Sequence, residues 1–198
     1  MEYPVISPPV GGKPFSKMSR EEAKTYFKWY LSQIPIRIRI LERAVRTSGD
    51  KYTKWEADMS PVSLILLGEW FADNIEIVPP SAKFTEEWYT ALESLPPQYR
   101  NLPVFPKYVF SARTHSMIID LGMYFGETLR KQIPYLKWRL CTTKFAYHAP
   151  VLTGFKRLRV YDPEEHVYGF ARDLVENRCE PSRLKELFDT RVYYETEV

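Results

Sequence analysis

The sequence predicts an α+β fold that is predominantly helical, with several helices and a small antiparallel β element late in the chain. Three observations carry that prediction. Up to Gln132, apolar residues recur at helical spacing behind recognisable capping residues. At Leu136-Lys137-Trp138-Arg139-Leu140 the period changes to strict alternation, the mark of a strand. Beyond it, Asp162-Pro163 and Pro181 restart helical segments.

Residues 1–17 contain Pro4, Pro8, Pro9, Pro14 and the Gly11-Gly12 pair, so they read as a loose amino-terminal arm; residues 18–198 read as one globular domain. Ser19 with Glu22 three residues later forms a capping box, which lets each satisfy a backbone donor of the other. Tyr26, Phe27, Tyr30, Leu31 and Ile34 then give one apolar stripe. Pro35 lacks an amide donor and is expected to kink or break the helix. Ile36, Ile40, Leu41, Ala44 and Val45 fit a second segment closed by Gly49, with Arg37, Arg39, Arg43 and Arg46 on its other faces. Ser60-Pro61 starts the next helix, to about Ile75. Thr85 with Glu86 and Glu87 opens a short one carrying Trp88, Leu92 and Leu95, stopped by Pro96-Pro97. Asn101–Pro106 is irregular. Ser111 caps a long helix from Ala112 to about Gln132, ended by Pro134. Pro150–Phe155 is a second strand pairing with the first. Helices from Asp162-Pro163 to about Asn177 and from Pro181 to Tyr193 complete the chain.

Bulk composition narrows the class. At 198 residues the chain is about one domain long, and 44% apolar with 27% charged residues suits a globular protein. No secretory signal is visible at the amino terminus, and no apolar run approaches the about 20 residues that span a bilayer. Cys141 and Cys179 have no CxxC or histidine-rich neighbourhood and read as two reduced, buried thiols. The expectation is a cytoplasmic protein with no membrane contact.

Motifs of common chemistry are missing: the sequence has no phosphate-binding glycine loop, GxSxG elbow, HExxH or DxDxDG. His115, His148 and His166 stand apart in sequence. The richest patch is Asp120-Leu121-Gly122-Met123-Tyr124-Phe125-Gly126-Glu127. A helix puts Asp120 and Glu127 on one face two turns apart, which could serve an acid/base or metal site with His115. The spacing lacks the i, i+3 or i, i+4 pairing that helix metal sites use. The alternative is structural. Gly122 and Gly126 each cost about 1 kcal/mol of helix stability relative to alanine, which makes sense where another segment approaches the backbone closely. Asp120 and Glu127 would then accept hydrogen bonds from Arg, Tyr or Trp side chains. Gly68-Glu69 echoes the patch, as two helices joined through glycine would. No catalytic residue, metal or cofactor is assigned.

Charge is segregated. Lys137, Arg139, Lys144, Lys156, Arg157 and Arg159 form a basic stretch without an acidic residue, interleaved with Trp138, Phe145, Tyr147 and Phe155. That mixture could track a nucleic-acid backbone and stack bases. Between Glu56 and Glu93, eight acidic residues (Glu56, Asp58, Glu69, Asp73, Glu76, Glu86, Glu87, Glu93) face Lys83 alone. Segregation of both signs suits electrostatically steered protein association. Trp88, Trp138, Arg139, Tyr147, Arg157 and Arg159 are therefore the candidate binding residues, though aromatic rings are most often core.

The run Asp120–Glu127, then Lys137-Trp138, then Pro150–Phe155 resembles small uncharacterised bacterial cytosolic families of the toxin-immunity type, in which a helix with Gly-xxx-Gly-Glu precedes a tryptophan-bearing strand. The resemblance covers about residues 112–160 and brings no catalytic residues. It implies a non-enzymatic protein that binds and neutralises a cognate toxin. Immunity proteins against basic nucleases tend to be acidic, whereas this chain has a net charge of +3; either the toxin is then not a basic nuclease, or the acidic 56–93 region meets it. The alternatives are nucleic-acid binding through 137–159 and an enzyme with a carboxylate site at Asp120 and Glu127.

Overall fold

A computed structural model describes residues 3–11, 13–100, 104–143 and 146–196. Among the described residues, six helices and two small antiparallel sheets make up the fold: α1 (Arg20–Arg46), α2 (Ser63–Asn74), β1 (Ile77–Val78), α3 (Ala82–Glu93), β2 (Val109–Phe110), α4 (Ala112–Gln132), β3 (Lys137–Leu140), β4 (Pro150–Thr153), α5 (Pro163–Val175) and α6 (Arg183–Thr196). It is a predominantly helical α+β fold. No helix is long and apolar enough to cross a membrane among the described residues.

Local chemistry fixes most helix starts. Ser19 Oγ accepts from the Glu22 amide while the Glu22 carboxylate accepts from the Ser19 amide, closing the capping box at 3.2 and 2.7 Å. Ser111 caps α4 through the Thr114 amide, and Asp162 caps α5 through the Glu165 amide. Pro35, however, does not break α1. It lies on the exposed side, where water can take the carbonyl that lost its donor, and Tyr30, Ile34, Ile38 and Leu41 on both sides of it share one buried stripe. Leu31, expected in that stripe, is exposed. The third helix begins at Ser81, whose hydroxyl accepts from the Phe84 amide, rather than at Thr85.

α4 runs through the centre. α1, α2, α5 and α6 all pack on it, so it is buried nearly all round, as helices in the middle of a core are. β3 and β4 pair as expected, Trp138 opposite Leu152 and Arg139 opposite Val151, with Trp138 inward and Lys137 and Arg139 outward. The β1–β2 ladder was not foreseen; it pairs Ile77 with Phe110 and Val78 with Val109. This ladder closes the base of an excursion that carries α3.

The arm departs from a loose segment. Its described residues form no regular structure before the short 3-10 turn Phe15–Lys17, yet Tyr3 is only 3% exposed, and the Ile6 amide donates to Ser116 Oγ at 3.0 Å.

Candidate functional site

The Gly-Glu patch of α4 is filled from three directions. Asp120 is fully buried, and its two oxygens accept from Arg37 Nε and Nη2 of α1, each at 2.7 Å. The Tyr3 hydroxyl donates to the same carboxylate, and Arg37 Nη2 also reaches the Pro4 carbonyl at 2.9 Å. A two-pronged guanidinium pairing of this kind is the strongest arrangement available to a buried carboxylate. Burial pushes the Asp120 carboxyl up to about 6 against the opposing pull of Arg37 and Tyr3. Arg37 is thus not a surface residue as its Ile-Arg-Ile context suggests. It falls on the Tyr30, Ile34, Leu41 stripe at intervals of three and four, and that spacing would have found it.

Glu127 is part-buried and serves a different neighbour. Its carboxylate accepts from Trp138 Nε1 at 2.7 Å and from Arg130 Nη1 at 2.8 and 2.9 Å. Asp120 and Glu127 therefore do not converge; each is committed to its own donors. The glycines explain how these donors come so close. A Cβ on Gly126 would sit 2.4 Å from Trp138 Cζ2, and one on Gly122 would sit 2.9 Å from Glu164 Cα at the start of α5. Gly68 leaves room for the Pro181 carbonyl, 2.3 Å from the ideal Cβ position. The two Gly-Glu helices do not meet glycine to glycine; each admits a different segment.

Trp138 itself is 8% exposed and packs edge-on against Tyr30, 5.5 Å between ring centroids. This corrects its reading as a binding anchor, because the inward side of a four-residue strand is the core side. The remaining basic-stretch residues stand differently. Lys137, Arg139, Arg157 and Arg159 are exposed, as is Tyr147, which stacks on His148. Lys156 donates to the Glu195 carbonyl, and Phe155 is buried beneath Arg191. Lys144 and Phe145 lie outside the described residues. Cys141 is buried and contacts the Thr143 hydroxyl, and both cysteines are unpaired. Among the described residues no three His, Cys, Asp or Glu side chains gather as metal ligands would.

The remaining candidate, Trp88, lies on α3, which buries none of its residues. Around it sits an aromatic cluster that sequence reading missed apart from Trp88. Phe105 stacks nearly parallel on Tyr89 (5.8 Å, 9°) and meets Trp88 edge-on at 5.2 Å and Phe84 at 6.4 Å. Phe84 and Trp88 are four apart on one helix face, which is the signal that could have shown it. Tyr89 and Val104 are exposed, at 50% and 85%. Phe105 also lines a cavity of about 660 Å³ shared with Tyr108 and Tyr168. No family model, curated protein or solved structure matches the chain. Of the acidic residues, Glu69 pairs with Lys51, Glu87 with Lys83 and Asp73 accepts from Tyr52, while Glu76, Glu86 and Glu93 are exposed on or beside the excursion.

Proposed function

We propose that the chain is a non-enzymatic cytoplasmic binding protein whose partner is a basic protein docked on the aromatic, acid-edged face of α3. The single observation behind this reading is that α3, which has no fully buried residue, presents Trp88 and the exposed Tyr89, with Phe105 of the following segment stacked on Tyr89 and edge-on to Trp88. Rigid aromatic anchors with a polar rim are what protein interfaces are made of. Glu86 and Glu93 at the edge favour a positively charged occupant. An enzyme reading of Asp120 and Glu127 loses its support, because the chain's own side chains already occupy both carboxylates. The bacterial immunity type is the form of this function that the sequence resemblance suggests, the occupant then being a toxin.

The test starts from the gene immediately beside this one. If its product arrests growth, co-expression of this chain should restore growth, and the W88A/Y89A double variant should fail to do so while folding normally. Purified proteins should form a complex on gel filtration that the double variant does not form. A toxic neighbour that is not neutralised, or a complex unchanged in the variant, would overturn the proposal. So would self-association through α3, seen by sedimentation of the chain alone.

A second reading, nucleic-acid binding, is favoured by Lys137, Arg139 and Arg159, which are exposed on and beside the hairpin with no ion pair among the described residues. It requires affinity that falls steeply with salt, abolished by alanine at Lys137, Arg139, Arg157 and Arg159. Retention of RNA or DNA unchanged by those four substitutions would end it.

A further inference from the structure

A cavity of about 590 Å³ opens between the amino-terminal arm, the carboxy-terminal half of α1, the end of α2 and the start of α4. That volume lies in the range of small-molecule sites, about 300–1,000 Å³. One part of its wall is apolar: Tyr3, Pro4, Ile40, Ala44 and the Trp70 ring. The other is donor-rich, supplied by Arg43 and Arg113, and no carboxylate lines it.

The donors are short of acceptors. Arg113 Nη2 reaches Asn74 Oδ1 at 3.0 Å, and the Asn74 amide is itself committed to the Trp70 carbonyl at 2.8 Å. Arg113 Nε and Trp70 Nε1 are buried and meet no acceptor. Such buried, unsatisfied donors are rare in folded proteins and call for an explanation. Arg43 is exposed and has no ion pair among the described residues. Two arginine side chains on one cavity, beside an apolar wall, match a ligand that is anionic at one end and apolar at the other.

We infer that this cavity binds a small oxyanion, a carboxylate or a phosphate monoester, carrying an aromatic or branched apolar body. The guanidinium forks of Arg43 and Arg113 hold the oxyanion, because planar two-pronged donors fit carboxylate and phosphate oxygens. Trp70 and Tyr3 take the apolar body. The inference uses none of the α3 surface and stands or falls separately from the protein-binding reading.

Calorimetric titration of the full chain with phenyl phosphate and with benzoate tests it, with inorganic phosphate as the oxyanion alone and benzyl alcohol as the uncharged body. Saturable one-to-one binding of phenyl phosphate or benzoate is expected, with benzyl alcohol bound at least about tenfold more weakly. Arg43→Gln and Arg113→Gln should each weaken binding by about tenfold, the scale of one charge-assisted contact. Trp70→Phe keeps an aromatic face but removes the pyrrole ring together with its N–H, and should cost a few-fold. Arg43 is on the surface, so its variant separates lost binding from lost folding, with helical circular dichroism as the control. Benzyl alcohol bound as tightly as benzoate, affinity unchanged in the Arg43→Gln/Arg113→Gln double variant, or no saturable heat with either anion at about 10 mM would each overturn the inference.

Discussion

α3 and α4 are built from similar material and end in opposite situations. Both are capped by serine, and both carry aromatic rings and carboxylates on an amphipathic helix. In α4 glycine appears twice, and at those points another segment comes within contact of the helix backbone, so rings and carboxylates are enclosed. α3 has no glycine, and among the described residues no other helix or strand packs closely on it; Phe105 stacks on Tyr89 and meets Trp88 edge-on instead. What separates a joint from a surface here is the presence of a place for the neighbour to enter, more than the residue types themselves.

The contrast is broken most directly at Asp120. Its replacement by Ala leaves Arg37 charged and without its carboxylate at 5% side-chain exposure, and losing one partner of a buried ion pair costs about 3–5 kcal/mol. Urea unfolding should register a loss of that size. A loss below about 1 kcal/mol would mean the pair is a surface contact, and the enclosed-joint description of α4 would fail. Gly126→Ala is the next largest. The new methyl would overlap the Trp138 ring, and overpacking of this kind costs about 1–3 kcal/mol. Gly169 in α5 supplies the control: a Cβ there meets nothing within 4 Å, so Gly169→Ala should stabilise by up to about 1 kcal/mol. If both alanines act in the same direction, close approach is not what Gly126 is for.

The parts of this architecture that rest on neighbours in sequence were legible there, and the parts that rest on distant ones were not. Ser19 with Glu22, Ser111, and Asp162-Pro163 announce their helices because a cap satisfies donors two or three residues away. The β3–β4 alternation is equally local. Pro35 misleads because its cost, real in isolation, is outweighed by a stripe buried on both sides of it. A two-residue ladder such as β1–β2 has no periodicity to read. Tyr3 and Arg37 meet Asp120 across 117 and 83 residues of chain, and nothing in the arm, rich in proline and glycine, marks Tyr3 as a core residue. The binding candidates divided in the same way. Trp138 belongs to the core because of strand parity, whereas Trp88 lies on a helix without a fully buried residue, beside a Phe105 that no local pattern ties to it.

A smaller, pH-dependent effect tests the joint from the α5 side. Glu164, whose Cα abuts Gly122, is part-buried; burial, followed by the nearby Asp162, Glu165 and Asp120, raises its carboxyl from 4.5 to about 8. The folded protein therefore keeps this proton where the unfolded chain has lost it. Between about pH 4.5 and 8 the native state binds more protons, so its stability falls as pH rises. Asp162, raised to about 6 by burial, acts in the same direction over the lower part of that window. Glu164→Gln should flatten the decline, giving a variant that gains on the parent protein at pH 8 relative to pH 5 in thermal melts. Parallel melting profiles would show that Glu164 is solvated, and that α5 does not seal the joint.

The smallest effect on global stability belongs to α3, and it sharpens the comparison from the other side. Trp88→Ala removes a half-buried ring, edge-on to Phe105, from a helix with no fully buried residue, and losing an aromatic pair of this kind costs about 0.5–1.5 kcal/mol. Loss of the stack on Phe105 should instead appear locally, as faster amide exchange across Ala82–Glu93 with the α4 amides unaltered. Under the proposed function, the apolar area that these rings leave uncovered is what a partner would bury. A Trp88→Ala protein that lost as much stability as Gly126→Ala would place α3 in the core after all, and the surface assigned to a partner would then be part of the fold.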